Sequence, residues 1–172
     1  PALYIPTAPG GAPGTIKAFR DPFPFRDPAD GKWPMVFAGS AAHSTSPFNG
    51  VIGAAVAMDG ARTNWRLLPP ILSADGLNNE LERPHIVNHG GRYYLFWSTQ
   101  EQVFDPAGPN GPTGLYGMVA RQLVGPWEPL NGTGLVFANP PEAPRQAYGW
   151  LVLPDLSVIS FVDDWRDAHE LE

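Results

Sequence analysis

The sequence predicts an all-β protein, and three observations support this prediction. First, 19 glycines and 21 prolines make up 40 of the 172 residues, which leaves little room for long helices. Second, short apolar and aromatic runs are separated by turn dipeptides such as Asp30-Gly31 and Gly90-Gly91. Third, two kinds of segment recur at an interval of about 62 residues. Turn dipeptides between apolar runs are typical of hairpins, and two hairpins per interval give four antiparallel strands.

The first recurring segment has an extended start, a tight turn and an aromatic strand, and it covers residues 20–37, 83–97 and 148–162. The second covers residues 52–69 and 115–130 and contains Trp65 and Trp127, which lie one interval apart. Four-stranded antiparallel units repeated along a chain are typical of β-propeller blades. A β-sandwich made of duplicated hairpins gives a similar pattern, so it stays as the alternative to the favoured propeller.

The length of the chain does not suffice for a closed propeller. At about 62 residues per blade, 172 residues supply fewer than three full blades, whereas closed propellers have at least about four. We therefore expect residues 1–172 to be an incomplete part of a single propeller domain, with N-terminal and C-terminal blades missing. Either the chain is a piece of a longer protein, or another chain supplies the missing blades.

Charge and composition exclude several partners and sites. The chain has 17 acidic and 11 basic residues and a net charge of -6, so we expect neither nucleic acid nor a membrane as a partner. It has no cysteine, which excludes disulfides and thiolate chemistry. Because the histidines lack metal-ligand spacing, we expect no metal and no cofactor. His85 is expected to pack or to form hydrogen bonds near an inner strand.

Two carboxylates begin successive repeats, each beside an arginine and a proline. Asp21 lies in Arg20-Asp21-Pro22, and Glu82 lies in Glu82-Arg83-Pro84, almost one interval later. The first strand of each blade lines the central channel, so we expect the two carboxylates to converge there. Paired carboxylates across a pocket are what glycoside cleavage requires. The alternative is that both motifs only form turns, and we expect this for Asp27 in the polar loop Arg26-Asp27-Pro28.

The ordered set of motifs resembles glycoside hydrolase family 68, which comprises levansucrases, inulosucrases and related β-fructofuranosidases. The resemblance runs from about residue 17 to residue 163. It is carried by Phe19-Arg20-Asp21-Pro22-Phe23, Glu82-Arg83-Pro84-His85, Tyr93-Tyr94-Leu95-Phe96, Gly114-Leu115-Tyr116-Gly117, Gly125-Pro126-Trp127 and Asn139-Pro140. It implies a five-bladed β-propeller, of which this chain supplies about three blades, and a retaining enzyme that transfers fructosyl units from sucrose through a covalent intermediate.

The resemblance also implies roles for individual residues. Asp21 matches the aspartate of the family's R-D-P motif, which implies stabilisation of the transition state through fructosyl hydroxyls. Glu82 matches the glutamate of its E-R-P motif, which implies the general acid that protonates the glucose leaving oxygen. The neighbouring Arg20 and Arg83 are expected to hold substrate hydroxyls and to orient the carboxylates. Glu80 matches a position that contacts the glucosyl unit.

Tyr148 and Gln100 are also expected to bind substrate. The sequence around each of them differs from the family's pattern. Tyr148 corresponds to the tyrosine of a Y-S-H motif but is followed here by Gly149-Trp150. Gln100 lies near the position of an arginine or histidine that usually follows Y-L-F. The family's nucleophile is an aspartate in a W-D motif, and no Trp-Asp pair occurs in these 172 residues. We therefore expect the nucleophile to come from outside this chain.

The resemblance implies sucrose as the donor and water, sugars or a growing fructan as acceptors. Family members usually work outside the cytoplasm, so the expected location is extracellular or periplasmic. Two alternatives remain open from the sequence. One is another five-bladed propeller glycosidase, of the arabinosidase or β-xylosidase type, and the other is a carbohydrate-binding propeller fragment without catalytic activity. Trp97 and Trp150 are candidate sugar contacts at the rim of the site.

Overall fold

The computed structural model describes residues 2–7 and 16–162 of the chain. All strand pairings in this part are antiparallel, and the only helical segments in it are two single 3-10 turns, Glu101–Val103 and Leu130–Gly132. The strands are β1 (Phe19–Pro24), β2 (Pro34–Ser40), β3 (Gly50–Ala57), β4 (Trp65–Ser73), β5 (Glu82–His89), β6 (Arg92–Thr99), β7 (Gly114–Ala120), β8 (Glu128–Pro129), β9 (Leu135–Ala138), β10 (Ala147–Val152) and β11 (Val158–Val162). The prediction of an all-β chain is confirmed.

The first sheet has four strands in the order β1-β2-β3-β4, so each strand pairs with its neighbour along the chain. The β1–β2 connection contains the predicted Asp30-Gly31 turn, where the amide of Gly31 donates to the carbonyl of Asp27 over 2.8 Å. Gly31 has a φ of 72°, a left-handed angle that glycine adopts without steric cost. This up-and-down sheet is the four-stranded unit that the sequence interval predicts.

The second sheet repeats the same order with one difference in its last strand. Strands β5, β6 and β7 are consecutive neighbours, but β7 then pairs with two short strands, β8 and β9. The sequence predicted equivalent hairpins in residues 52–69 and 115–130, but the strand that begins at Trp65 has nine residues and the one after Trp127 has only two. Pro126 and Pro129 lack the backbone N–H that a ladder needs, and Asn131 has a φ of 53°, so the chain turns and rejoins the sheet at Leu135.

The third repeat is described as the hairpin β10–β11. The three predicted hairpins therefore lie in three successive sheets, β1–β2, β5–β6 and β10–β11. A two-layer sandwich would place the hairpins in two facing sheets. The series of small antiparallel sheets instead confirms the propeller arrangement, with each sheet as a blade or part of one.

Separate apolar clusters fill the spaces between successive sheets. Val36 and Ile52 of the first sheet pack with Leu95 and Trp97 of the second. A second cluster joins Val87, Phe96 and Leu115 to Trp150 and Val152 of the third repeat. Trp97 is 7% exposed and Trp150 is 4% exposed, so the expectation that they contact sugar at the rim is wrong. Both indole rings are occupied by packing between blades.

Tyr4 covers the opposite face of the first sheet, against Phe37, Val51 and Ala55. Its hydroxyl accepts a hydrogen bond from the amide of Ala54 over 3.2 Å, so the polar end of this buried ring is satisfied.

No helix in the described part is long and apolar enough to cross a membrane.

Candidate active site

Each inner strand, β1, β5 and β10, has a β-bulge close to its start. The register shifts lie between Arg20 and Phe23, between Glu82 and His85, and between Tyr148 and Leu151. At each bulge one residue has a left-handed backbone: Asp21 has a φ of 57°, Arg83 of 50° and Gly149 of 72°. A bulge changes the direction in which the adjacent side chains point. The three bulges therefore set the orientation of the side chains at the mouths of three neighbouring inner strands.

The positions of the bulges show which residues are equivalent in successive repeats, and these differ from the pairs that the sequence suggests. The sequence pairs Asp21 with Glu82, because each begins its repeat beside an arginine and a proline. The bulges instead align Asp21 with Arg83, and Arg20 with Glu82, and each of these pairs is separated by 62 residues. The two carboxylates thus start from different positions in their repeats, and an arginine occupies the position equivalent to the expected general acid.

Arg20 joins two carboxylates at the centre of the candidate site. Its Nη2 lies 2.8 Å from Oε2 of Glu80 and 2.7 Å from Oε1 of Glu82. The Glu80 side chain is 7% exposed and that of Glu82 is 17% exposed, so both are largely removed from water. Burial raises the pKa of Glu80, the charge of Glu82 raises it further, and Arg20 opposes both effects. The guanidinium therefore allows two acidic groups to lie together.

Tyr148 completes this cluster from the third repeat. Its hydroxyl donates a hydrogen bond to Oε2 of Glu82, so the two oxygens of that carboxylate have different partners. Burial raises the pKa of Tyr148, and the charge of Glu82 raises it further, so the phenol stays protonated and remains a donor. Arg20, Glu82 and Tyr148, which are the equivalent residues of the three repeats, converge as the propeller arrangement requires.

Asp21 lies beside this cluster and has other partners. Its Oδ2 accepts a hydrogen bond from the amide of Arg83 over 3.0 Å and lies 3.8 Å from Nε of Arg20. The Arg83 side chain does not join the carboxylates: its guanidinium carbon lies 5.5 Å from the ring centre of Phe161, in the third repeat. Arg83 thus contributes its backbone amide to this group, whereas the sequence suggested its guanidinium.

A groove of about 810 Å³ opens beside Tyr148. Its walls include Gln100, Thr113, Arg145 and Tyr148, so Gln100 and Tyr148 line the same groove. Gln100 also accepts a hydrogen bond from Nε2 of Gln102. The structure thus brings Gln100 next to the carboxylate cluster through Tyr148, in a position open to an incoming molecule.

Asn78 and Thr99 hold the backbone around Glu80. Neither residue was predicted from the sequence to belong to the site. The amide of Glu80 donates to Oδ1 of Asn78 over 2.7 Å, and its carbonyl accepts from Oγ1 of Thr99 over 2.7 Å. Nδ2 of Asn78 donates to the same Oγ1 over 3.0 Å. Both backbone polar groups of Glu80 are therefore fixed. The only local sequence signal was the pair Asn78-Asn79 directly before Glu80.

His85 links two repeats next to the Arg83 bulge. Its Nε2 accepts a hydrogen bond from the amide of Val152 over 2.9 Å, and its Nδ1 lies 3.0 Å from the carbonyl of Arg83. An accepting Nε2 places the proton on Nδ1, which can then donate to that carbonyl. Burial lowers the pKa of His85, which keeps the ring neutral. The predicted structural role of His85 is confirmed.

No group of three or more histidine, cysteine, aspartate or glutamate side chains within residues 2–7 and 16–162 has an arrangement that could hold a metal ion.

Comparison with known proteins assigns the chain to a family. The model of glycoside hydrolase family 68, described as levansucrase/invertase, matches residues 41–172. The chain belongs to glycoside hydrolase family 68. The matched part includes Glu80, Glu82, Gln100 and Tyr148 and begins after Asp21.

Curated relatives agree with this assignment. The chain is 41% identical over 168 residues to the levansucrase Lscgamma of Pseudomonas syringae pv. actinidiae, an alignment that covers 84% of this chain and 39% of the relative. It is also 41% identical over 169 residues to a levansucrase of Rahnella aquatilis, with 85% of this chain and 40% of the relative covered. The chain thus spans about two fifths of the length of these family 68 proteins.

Solved structures support the fold of this family 68 chain. It is 44% identical to an inulosucrase from Halalkalicoccus jeotgali bound to kestose, with a TM-score of 0.74 over 80% of this chain and 36% of that one. It is 29% identical to a levansucrase from Gluconacetobacter diazotrophicus, with a TM-score of 0.83 over 94% of this chain and 42% of that one. The sheets described above thus belong to a family 68 β-propeller.

Proposed function

We propose that the polypeptide carrying this chain transfers fructosyl units from sucrose to water, sugars or a growing fructan. Its mechanism is a retaining one with a covalent fructosyl-enzyme intermediate. The observation that carries this proposal is the contact of Arg20 with both Glu80 and Glu82, in a family 68 chain. This contact supports a site in which Glu82 acts on the substrate while Arg20 keeps the neighbouring Glu80 in place.

Glu82 takes up a proton when the donor binds, and in the first step it donates this proton to the oxygen between glucose and fructose. The bond from that oxygen to the fructosyl anomeric carbon breaks, and its electron pair leaves with the glucose. A nucleophilic carboxylate forms the new bond to the anomeric carbon. Asp21, at the edge of the cluster, faces the positive charge that develops on the fructosyl ring. Glu80 and Gln100 bind the glucose side of the substrate.

In the second step Glu82 acts as a base. It accepts the proton of an acceptor hydroxyl, whose oxygen attacks the anomeric carbon and displaces the enzyme carboxylate. Tyr148 holds Oε2 of Glu82, so the proton is exchanged at Oε1, the oxygen that Arg20 contacts. Two displacements at one carbon retain its configuration.

The nucleophile in this proposal lies outside residues 1–172, since the chain contains no Trp-Asp pair of the kind the family uses. Another part of the same polypeptide or a second chain supplies it. The test therefore uses the whole polypeptide that carries this sequence.

The experiment compares the unaltered polypeptide with Glu82→Gln on two donors. On sucrose, Glu82→Gln should release glucose about 10²- to 10⁴-fold more slowly, because an amide cannot deliver a proton. Fructosyl fluoride has a leaving group that needs little protonation, so the first step should recover. The second step lacks its base, so an intact-mass gain of one fructosyl unit should accumulate. Normal sucrose turnover by Glu82→Gln would overturn the proposal.

A further inference from the structure

Three oxygens surround the ammonium group of Lys17, and one of them belongs to Asn79, the residue directly before Glu80. Nζ of Lys17 lies 2.6 Å from the carbonyl of Pro47, 2.6 Å from Oδ1 of Asn49 and 3.1 Å from Oδ1 of Asn79. A lysine ammonium has three N–H donors and no acceptor. Its hydrogen-bonding capacity is therefore fully used by segments that are 30 to 62 residues away along the chain.

The two asparagines cannot easily turn away from Lys17. Asn49 is 1% exposed and Asn79 is 0% exposed. Nδ2 of Asn49 donates to the carbonyl of Ala41 over 2.9 Å, and Nδ2 of Asn79 donates to that of Ile16 over 2.6 Å. With each amide nitrogen engaged, each Oδ1 points to the ammonium. Removal of the ammonium would leave buried acceptors without a donor, which is costly.

This oxygen cluster connects directly to the carboxylate cluster, because Asn79 precedes Glu80. The charged and titratable groups that interact with Glu80 are Arg20 of strand β1, Glu82 two residues further along the chain, Tyr148 of the third repeat and Lys17. Burial lowers the pKa of Lys17, and the charge of Glu80 opposes this. Lys17 therefore adds a second positive charge that acts on Glu80, besides that of Arg20.

We propose that Lys17 is a positioning residue whose ammonium, by holding Asn79, sets the place and charge of the Glu80 carboxylate for the glucose side of the substrate. The proposal rests on the proposed function. It does not require Lys17 to touch the sugar. Its consequence is that binding of the donor depends on an ammonium group outside the substrate pocket.

The test is chemical rescue in the whole polypeptide. Lys17→Ala removes the side chain beyond Cβ, and the missing part corresponds to propylammonium. We expect the KM for sucrose to rise by about 2- to 30-fold, the usual range for residues that act through others, with a smaller change in kcat. Propylammonium should restore the KM. Tetramethylammonium has the same charge but no N–H donor, so it should not.

The chain provides a matched control in its only other lysine. Lys32→Ala removes an exposed lysine that pairs with Asp30 in the β1–β2 hairpin, so the KM should not change and propylammonium should have no effect. Lys17→Met keeps most of the stem without donors and should show the raised KM without rescue. If Lys17→Ala does not fold, the KM of Lys17→Met tests the proposal instead.

Two results would overturn the proposal: an unchanged KM in Lys17→Ala and Lys17→Met, or a lower melting temperature with a normal KM, which would make Lys17 only a structural anchor. Failure of the proposed function looks different, since the unaltered polypeptide would then not cleave sucrose at all. In that case a propylammonium-dependent gain in the melting temperature of Lys17→Ala still shows whether the ammonium site exists.

Discussion

The backbone amide of Arg83 donates a hydrogen bond to Oδ2 of Asp21 over 3.0 Å, and both residues have left-handed backbones, with φ of 50° and 57°. This bond joins the bulges of two successive inner strands. A left-handed backbone is uncommon for residues other than glycine, asparagine and aspartate. The carboxylate of Asp21 thus has two functions. It accepts this structural hydrogen bond, and it supplies the negative charge that the proposed mechanism needs.

The two functions of Asp21 can be separated with Asp21→Asn. Asparagine tolerates the left-handed angle and its Oδ1 can still accept from Arg83, so the free energy of unfolding should change by less than about 0.5 kcal/mol. Turnover of sucrose should fall by about 10²- to 10³-fold, since the charge facing the transition state is lost. Urea unfolding and glucose release measure the two quantities. Glu128→Gln, at an exposed position of strand β8, should change neither. Loss of stability together with activity in Asp21→Asn would contradict the separation.

Two features require a glycine at position 149: the left-handed backbone angle and the closeness of the Arg83 side chain. Its φ is 72°, and a Cβ there would lie 2.1 Å from Nη1 of Arg83. Gly149→Ala should lower the free energy of unfolding by about 1 kcal/mol from the angle alone, plus a further amount from displacement of the guanidinium. Gly91→Ala is the matched control, because Gly91 has a φ of 73° and open space around its Cβ position.

Denaturant unfolding of the two glycine variants should therefore show a larger loss for Gly149→Ala than for Gly91→Ala. In an Arg83→Ala background the difference should shrink, because the displaced side chain is gone. Equal losses for the two glycines in the unaltered background would show that the angle accounts for the whole effect.

The sequence predicted the hairpins well because their signals are local. Turn dipeptides and alternating apolar residues define β1–β2, β5–β6 and β10–β11 without reference to distant parts of the chain. The bulges could not be predicted, since a bulge is a mismatch between two strands and one strand's sequence does not show it. This is why the sequence aligned Asp21 with Glu82 instead of Arg83. The motifs nevertheless selected Arg20, Glu80, Glu82 and Tyr148, which the structure brings together.

Contacts between distant segments explain what the sequence missed. The Arg83 side chain turns toward Phe161, and Lys17 reaches Asn79, which is 62 residues away. No local pattern marks either contact. Asp27 was expected to lie in a solvated loop, but it is 8% exposed and accepts a hydrogen bond from Tyr93, 66 residues away. Its role is structural, as expected, for a different physical reason.

The bond between Tyr93 and Asp27 should affect stability in a way that depends on pH. The Tyr93 hydroxyl lies 2.5 Å from Oδ1 of Asp27, and burial together with this carboxylate raises the pKa of Tyr93 from 10.0 to about 12. Because the folded state holds this proton more tightly, the stabilisation is complete below pH 10 and is lost as the pH rises to about 12. Tyr93→Phe should cost about 1–3 kcal/mol at neutral pH.

Urea unfolding at several pH values between 8 and 12 tests this prediction. The difference in stability between the unaltered polypeptide and Tyr93→Phe should be constant up to about pH 10 and should narrow above it, given the Tyr93 pKa of about 12. Sucrose turnover at neutral pH should stay unchanged while the variant is folded. A difference that stays constant across the whole range would show that Tyr93 does not titrate differently in the folded state.

Tyr148→Phe tests whether the phenol orients Glu82 for proton transfer. The substitution removes the hydrogen bond to Oε2 of Glu82 and leaves the bond from Arg20 to Oε1. A hydrogen bond to a charged group is worth about 1.5–3 kcal/mol, so kcat for sucrose should fall by about 10-fold or more if the bond orients the acid in the transition state. Steady-state kinetics of glucose release measures kcat and KM separately, and the fall should lie mainly in kcat.

Fructosyl fluoride separates this role of Tyr148 from general damage to the site. Its departure needs little protonation, so the first step with this donor should be much less sensitive to Tyr148→Phe than the first step with sucrose. Tyr94→Phe, on the neighbouring strand β6, removes a hydroxyl outside the cluster and should leave both donors unaffected. Equal losses on sucrose and fructosyl fluoride in Tyr148→Phe would mean that the phenol holds the pocket together without orienting the proton of Glu82.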